Sequence, residues 1–82
     1  MTADEFNEKW KDHLEKGHYG MAFDEIQIIE LVDKAFTKLL ETHPNFTYTQ
    51  IKEKFGSSRA YVYNVPDNFE NDLELQINLL LK

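Results

Sequence analysis

Apolar residues recur at every fourth position near the start of the chain. Phe6, Trp10 and Leu14 follow this spacing with charged residues between them, which is the pattern of an amphipathic helix. Thr2 and a glutamate three residues later have the spacing of a capping box, in which each side chain accepts a hydrogen bond from the other residue's backbone N–H. The pattern predicts a first helix over residues 2–16, with Trp10 as a core anchor.

The second helix is predicted over residues 24–43. Its apolar side chains cover a wider arc than a surface helix shows, so it is expected to be the most buried of the helices. Asp24 and Gln27 have capping-box spacing at its start, and Pro44 disfavours helical conformation at the residue before it. Residues 18–23, which precede it, are expected to form a short connector between two helices.

A third helix is predicted over residues 67–81. Leu75, Leu79 and Leu81 lie off its inward side and widen its apolar arc, so either the hairpin or a partner is expected to cover them. A second copy of the chain is one such partner, and these three leucines are the predicted homodimer contact. The inward stripe is expected to consist of Phe69, Leu73, Ile77 and Leu80.

Residues 46–65 lose the helical period and are rich in side chains that suit a pleated surface. Gly56-Ser57 suits a type II′ turn, so the stretch is predicted to be a β-hairpin in which Phe55 lies opposite Ser58 and Ile51 opposite Val62. The two faces follow from the alternation of side chains along a strand. The predicted inner face carries Thr49, Ile51, Phe55, Ala60 and Val62, and the outer face Tyr48, Lys52, Lys54, Arg59, Tyr61 and Tyr63.

A helix-turn-helix over residues 49–65 is the alternative interpretation of this stretch. Gly56 would be the turn, and residues 58–65 would be a recognition helix that enters the major groove of DNA. Lys52 would then fall where the two helices cross and a small residue is needed, and Ser57 where an apolar residue usually anchors the turn. The hairpin is therefore preferred, and a small DNA-binding regulator is the alternative function.

Together these elements predict one α+β domain over residues 1–82. Its expected order is α-α-β-β-α, with one antiparallel hairpin packed against three helices. A chain of 82 residues with 41% hydrophobic content is long enough to bury a modest core without a metal or a disulfide.

Charge divides the chain into three parts. Residues 1–48 hold ten acids and five bases, residues 49–65 one acid and three bases, and residues 66–82 four acids and one base. The net charges of these parts are −5, +2 and −3, within a net charge of −6 for the chain. A chain of this charge repels nucleic acid and anionic membranes as a whole, so neither is the expected partner.

Several kinds of chemistry lack the residues they need. The chain has no cysteine, which excludes thiol catalysis, disulfides and cysteine-bound zinc. His13, His18 and His43 do not have the spacing of metal ligands on one helix, so no metal site is expected. No nucleophile motif and no glycine-rich phosphate loop are present. We therefore expect neither an enzyme nor a cofactor, and the absence of a signal-peptide pattern leads us to expect a cytoplasmic protein.

The hairpin sequence resembles a motif of small uncharacterised proteins from bacteria and their phages. Gln50-Ile51-Lys52-Glu53-Lys54-Phe55-Gly56, followed by Arg59, Tyr61 and Val62, is similar to the pattern Q-[IV]-K-E-K-F-G-G-L-R-F-Y-V. The resemblance spans residues 17–65 and implies a shared fold without an assigned activity. This chain departs from the pattern at Ser57, Ser58 and Ala60, where glycine, leucine and phenylalanine are usual.

The outer hairpin face is the predicted site for a partner. Lys52, Lys54, Arg59 and Tyr61 combine positive charge with aromatic area, which suits an acidic patch on another protein. The alternative is a solvated strand face whose lysines discourage aggregation. A further candidate is the acidic exterior of the first two helices, which would mimic nucleic acid toward a basic partner. The predicted function is a non-catalytic interaction or inhibitory module, of the counter-defence or immunity type carried by phages and mobile elements.

Overall fold

Three helices and three strands follow one another in the order α-β-α-β-β-α. The computed structural model describes residues 1–81. The α+β class is confirmed, whereas the predicted order α-α-β-β-α lacked one strand. The predicted domain extends to Lys82, which lies outside the described residues. The elements are α1 (Ala3–Lys9), β1 (Gly20–Met21), α2 (Ile26–Leu39), β2 (Thr47–Lys54), β3 (Ser57–Tyr63) and α3 (Phe69–Leu81).

The strands form one mixed sheet with β2 in the centre. β3 pairs with β2 in antiparallel orientation, and β1 pairs with it in parallel orientation through Gly20 opposite Gln50 and Met21 opposite Ile51. The prediction of a connector over residues 18–23 is therefore wrong in part. A strand of two residues is too short to show a period of two, which is why the pattern does not reveal it.

The hairpin is confirmed, but its turn differs from the predicted one. Phe55 and Gly56 have φ angles of 54° and 80°, and Lys54 pairs with Ser57 across them. Positive φ at both central residues defines a type I′ turn, whose twist matches that of the flanking strands. The predicted pairing was wrong, since Ile51 lies opposite Ala60, and Phe55 lies at the tip instead of on the inner face.

A β-bulge changes which side chains of β2 point inward. The register shifts between Tyr48 and Gln50, so that one extra residue stands in β2. Tyr48, predicted on the outer face, is instead fully buried, while Ile51 stays inward as expected. The extra residue inverts the alternation only for the residues that precede it.

The helix-turn-helix interpretation of residues 49–65 is wrong. Thr47–Lys54 and Ser57–Tyr63 are both strands, so this stretch holds no recognition helix. Among residues 1–81, no helix has the length and apolar character that crossing a membrane requires.

The first helix begins as predicted and ends earlier. The Glu5 N–H donates to Thr2 Oγ1 (3.1 Å) and the Thr2 N–H donates to Glu5 Oε1 (2.8 Å), which confirms the capping box. The hydrogen bond from the Thr2 backbone lowers the pKa of the Glu5 carboxyl. The helix ends at Lys9 instead of residue 16, because residues 13–15 run beside β2, where the Glu15 N–H donates to the Tyr48 carbonyl (2.9 Å).

The other two helices are shorter than predicted. α2 begins at Ile26, and its N-cap residue, Glu25, makes no side-chain capping bond, so the predicted capping box of Asp24 is wrong. Its last residue is Leu39, short of the predicted end at residue 43. α3 begins at Phe69, two residues after the predicted start.

An aromatic cluster lies at the centre of the core. Trp10 is 4% exposed, and its indole N–H donates to the Asp33 carboxylate (2.9 Å), so its predicted role as a core anchor is confirmed. The same carboxylate pairs with Lys9 Nζ at 2.9 Å. Core side chains that are buried include Phe6, Trp10, Phe23, Ile28, Ile29, Val32, Phe36, Leu39, Phe46, Tyr48, Ile51, Ala60, Leu73 and Ile77.

Because Tyr48 is buried, the free energy of unfolding is expected to fall at alkaline pH. Removal from water raises the pKa of Tyr48 above its ordinary value of about 10. The unfolded chain therefore loses this proton first. The stabilisation is present below about pH 10 and falls by about 1.4 kcal/mol per pH unit above it, until the folded protein also ionises.

Tyr48→Phe is expected to remove this dependence. At pH 8 the variant should be less stable by about 1 kcal/mol, because the hydroxyl no longer donates to Asn7 Oδ1 (3.0 Å). Above pH 11 it should equal or exceed the parent. Urea unfolding at both pH values measures this, with Tyr19→Phe as the exposed control. Parallel pH profiles for Tyr48→Phe and the parent would contradict the expectation.

Candidate protein-binding face of the sheet

The helices pack against one face of the sheet and leave the other face to solvent. Alternation along β2 and β3 places a set of polar, basic and aromatic side chains on this second face, which we call the open face. All four predicted partner-binding residues lie on it, at half-buried or exposed positions. The open face consists of Gln50, Lys52, Lys54, Ser57, Arg59, Tyr61 and Tyr63.

Two cations of the open face occupy opposite positions of the hairpin, and the two lysines lie near aromatic rings. Lys52 lies directly opposite Arg59 in the antiparallel register, and its Nζ lies 5.8 Å from the centroid of the Tyr61 ring. Arg59 Nη1 donates to Ser57 Oγ (3.2 Å) and to the Ser58 carbonyl (2.9 Å), which holds the guanidinium along β3. These contacts restrict the side chains to one surface before any partner binds.

No salt bridge within the described part of the chain neutralises the cations of this face. Like charges at directly opposite positions destabilise a sheet, and Lys52 faces Arg59 in this way. Within residues 1–81, the ion pairs are Lys9 with Asp33 and Lys11 with Glu8, and none includes a cation of the open face. An acidic group from outside the chain would relieve the repulsion.

Comparison with models of protein families, with curated proteins and with solved structures gives no match. The candidate site therefore rests on the geometry of the open face. That geometry brings three cations and Tyr61 together, on a chain whose net charge is −6.

Side chains from α3 hold the outer edge of β3. The Ser58 N–H donates to Asn78 Oδ1 (2.7 Å), the Ser58 hydroxyl donates to the Glu74 carbonyl (2.9 Å), and the Ala60 N–H donates to Glu74 Oε2 (2.7 Å). Loss of hydration, together with the nearby Glu74 carboxylate, raises the pKa of Glu70. The i, i+4 spacing of Glu74 and Asn78 beside the apolar stripe is the one sequence signal that could have indicated these contacts.

Asn7 holds the edge of β1 in the same way. Its Oδ1 accepts from the Met21 N–H (2.9 Å) and from the Tyr48 hydroxyl (3.0 Å), and its Nδ2 donates to the Tyr19 carbonyl (3.3 Å). With N–H groups on both outer strands already bonded, addition of a partner strand is disfavoured. A partner would instead contact side chains of the open face.

The leucines of α3 form a second exposed area. Leu75 and Leu79 are 55% and 67% exposed, so the hairpin does not cover them. Leu81 is instead half-buried against the core, and Leu80, predicted to point inward, is 43% exposed. Of the three leucines predicted to form a homodimer contact, Leu81 is thus the least available, and the homodimer itself stays a prediction. Between α2 and α3 lies a groove of about 550 Å³, whose apolar lining includes Leu31, Ala35, Leu39, Phe69 and Leu73.

His13 has a structural role. Its ring stacks on Phe46 at 4.2 Å between centroids, and its Nδ1 lies 2.8 Å from the Phe46 carbonyl oxygen. His18 is exposed, and His43 is half-buried with its Nδ1 2.8 Å from Thr42 Oγ1. In the described part of the chain, no three histidine or carboxylate side chains converge to hold a metal ion.

Proposed function

We propose that the protein is a non-catalytic binding or inhibitory module that binds an acidic surface of another protein through its open face. The supporting observation is the uncompensated pair of Lys52 and Arg59 at opposite positions. Carboxylates of a partner would lie between these cations and convert a repulsion into two ion pairs. Tyr61, packed beside Lys52, would add aromatic contact area of the kind that is enriched at protein interfaces.

The amount of positive charge favours a protein over a nucleic acid. Proteins that bind DNA tightly neutralise roughly six to ten phosphates, and the open face offers Lys52, Lys54 and Arg59. The rest of the chain is acidic and would repel a phosphate backbone that extends beyond this face. A local acidic patch on a folded protein can be bound with fewer cations than a stretch of DNA.

The acidic exterior of the first two helices is less suited to binding. Its carboxylates are interspersed with lysines, and two of them, Glu8 and Asp33, are already paired with Lys11 and Lys9. Mimicry of nucleic acid requires a continuous array of negative charge. These pairs interrupt such an array.

Charge reversal tests the proposal. The triple variant Lys52→Glu, Lys54→Glu, Arg59→Glu should keep the fold, because all three side chains lie outside the core. It should recover at least tenfold less partner in a pull-down from host cells, because each lost ion pair at an interface weakens binding by one or more kcal/mol. Circular dichroism and the urea midpoint verify the fold.

The matched control is Lys34→Glu, Lys38→Glu on the exposed side of α2, which should leave recovery unchanged. Equal recovery by the triple variant and the parent would rule out the open face. Titration with duplex DNA at several salt concentrations addresses the other class of partner. If the protein binds DNA and its affinity falls steeply as salt is raised, the open face would be a nucleic-acid-binding surface instead.

A further inference from the structure

Phe55 occupies an unusual position at the tip of the hairpin. It is the first central residue of the type I′ turn, with φ of 54°, and its side chain is 94% exposed. Its ring contacts little of the protein beyond Lys54, whose Nζ lies 5.9 Å from the ring centroid. A large aromatic side chain is thus exposed to solvent on a residue whose backbone is in the left-handed region.

Phenylalanine at this position buries almost none of its side chain, which is 94% exposed. Type I′ turns strongly prefer Asn-Gly, because asparagine tolerates positive φ, and a bulky residue there is an outlier. Among residues 1–81, the other non-glycine residue with positive φ is Asn64, at 60°, which has the residue type that this conformation favours. Strained residues of this kind concentrate at binding and active sites.

We propose that Phe55 is the anchor by which the open face binds its partner, inserting its ring into an apolar pocket bordered by carboxylates. This inference rests on the proposed function and adds the tip to the binding surface. The tip adjoins Lys54 in sequence, and Lys52 and Arg59 lie further back along the two strands. An exposed ring backed by cations is complementary to a pocket with an acidic rim, and buried aromatic anchors with polar surroundings dominate many interfaces.

Stability of the purified protein gives the first test. Phe55→Asn places the preferred Asn-Gly pair in the turn, and the ratio of folded to unfolded protein should rise about fivefold in urea unfolding. Tyr19→Asn is the matched control, since Tyr19 is an 82% exposed aromatic residue without positive φ. It should give no rise. A fall in stability for Phe55→Asn would show that Phe55 serves the fold and would overturn the proposal.

Site-specific crosslinking gives the second test. p-Benzoylphenylalanine is placed at position 55, 61 or 19 of the full chain in its host cells, and the adducts are identified by mass spectrometry. We expect position 55 to crosslink one protein, at an apolar residue in a segment that also carries Asp or Glu. The adduct should be absent for position 19 and lost when Lys52→Glu and Arg59→Glu are added. The purified partner should bind Phe55→Asn at least tenfold more weakly than the parent.

The possible outcomes separate the two proposals. An adduct from position 61 without one from position 55, or equal affinity of Phe55→Asn and the parent, overturns the anchor and leaves the open face as the binding site. Absence of adducts from both positions overturns the anchor and the proposed function together. An adduct of position 55 with lipid or nucleic acid overturns the assignment of the partner as a protein.

Discussion

Phe36→Ala is expected to lower the free energy of unfolding by about 3–5 kcal/mol at 25 °C. Phe36 is fully buried, and its ring centroid lies 5.5, 5.4, 4.8 and 5.2 Å from those of Phe6, Trp10, Phe46 and Tyr48. Removing a buried phenylalanine costs about 3–5 kcal/mol, because burial is lost and a cavity remains. A domain of this size typically has a total stability of about 4–12 kcal/mol. The substitution therefore removes a large part of the total.

The measurement is the urea midpoint, followed by fluorescence of Trp10, the single tryptophan. Trp10 contacts Phe36 directly, so its emission should shift to longer wavelength as the cluster opens. Phe55→Ala is the matched control, because the same change at an exposed side chain should alter stability by less than about 1 kcal/mol. A loss below about 2 kcal/mol for Phe36→Ala would mean that the cluster repacks around alanine.

Burial could be predicted from the sequence where apolar residues keep helical spacing over several turns. The apolar stripe of α3 includes Leu73 and Ile77, and both are buried as predicted. The widest arc belongs to α2, which holds Phe36 and other core residues. Prediction from the sequence fails for β1, since Gly20–Met21 is defined by its pairing with β2 and not by any local pattern. A strand of two residues is too short to leave a period in the sequence.

The hairpin shows why the candidate site could be predicted although its turn could not. The observed register differs from the predicted one by two positions, because Ile51 pairs with Ala60 instead of Val62. A shift of two keeps every side chain on its face, so Lys52 and Arg59 stay on the outer side. A bulge adds one residue and inverts the faces, which is why Tyr48 was placed on the wrong side. Phe55 was misplaced for a different reason, because the observed register makes it a turn residue.

The structure explains why β3 carries small residues at two of its inward positions. Ser58 and Ala60 replace the leucine and phenylalanine of the motif that the chain resembles, and both are fully buried beneath α3. Their size lets Glu74 and Asn78 reach the backbone of β3. Larger side chains would displace α3 and leave the edge N–H groups without these partners.

Gly20→Ala is expected to destabilise the protein by about 3–5 kcal/mol, for two separable reasons. Gly20 has φ of 75°, which costs a residue with a Cβ about 1–2 kcal/mol. A Cβ at this position would also clash with Asn7 Oδ1, and this oxygen cannot move without weakening its bonds to Met21 and Tyr48. Lost bonds of this kind to buried groups cost about 1–3 kcal/mol each.

Gly17→Ala isolates the backbone contribution. Gly17 has nearly the same φ, 85°, but a Cβ added there would meet no atom within 4 Å, so alanine should cost about 1–2 kcal/mol. The free energy of unfolding in urea is measured for Gly17→Ala and Gly20→Ala. Each substitution is then measured again in a protein that also carries Asn7→Ala. Removing Asn7 should reduce the cost of Gly20→Ala to that of Gly17→Ala, because only the steric conflict depends on Asn7. If Gly20→Ala costs no more than Gly17→Ala in the parent, Asn7 is free to move, and the edge of β1 is not held by its amide.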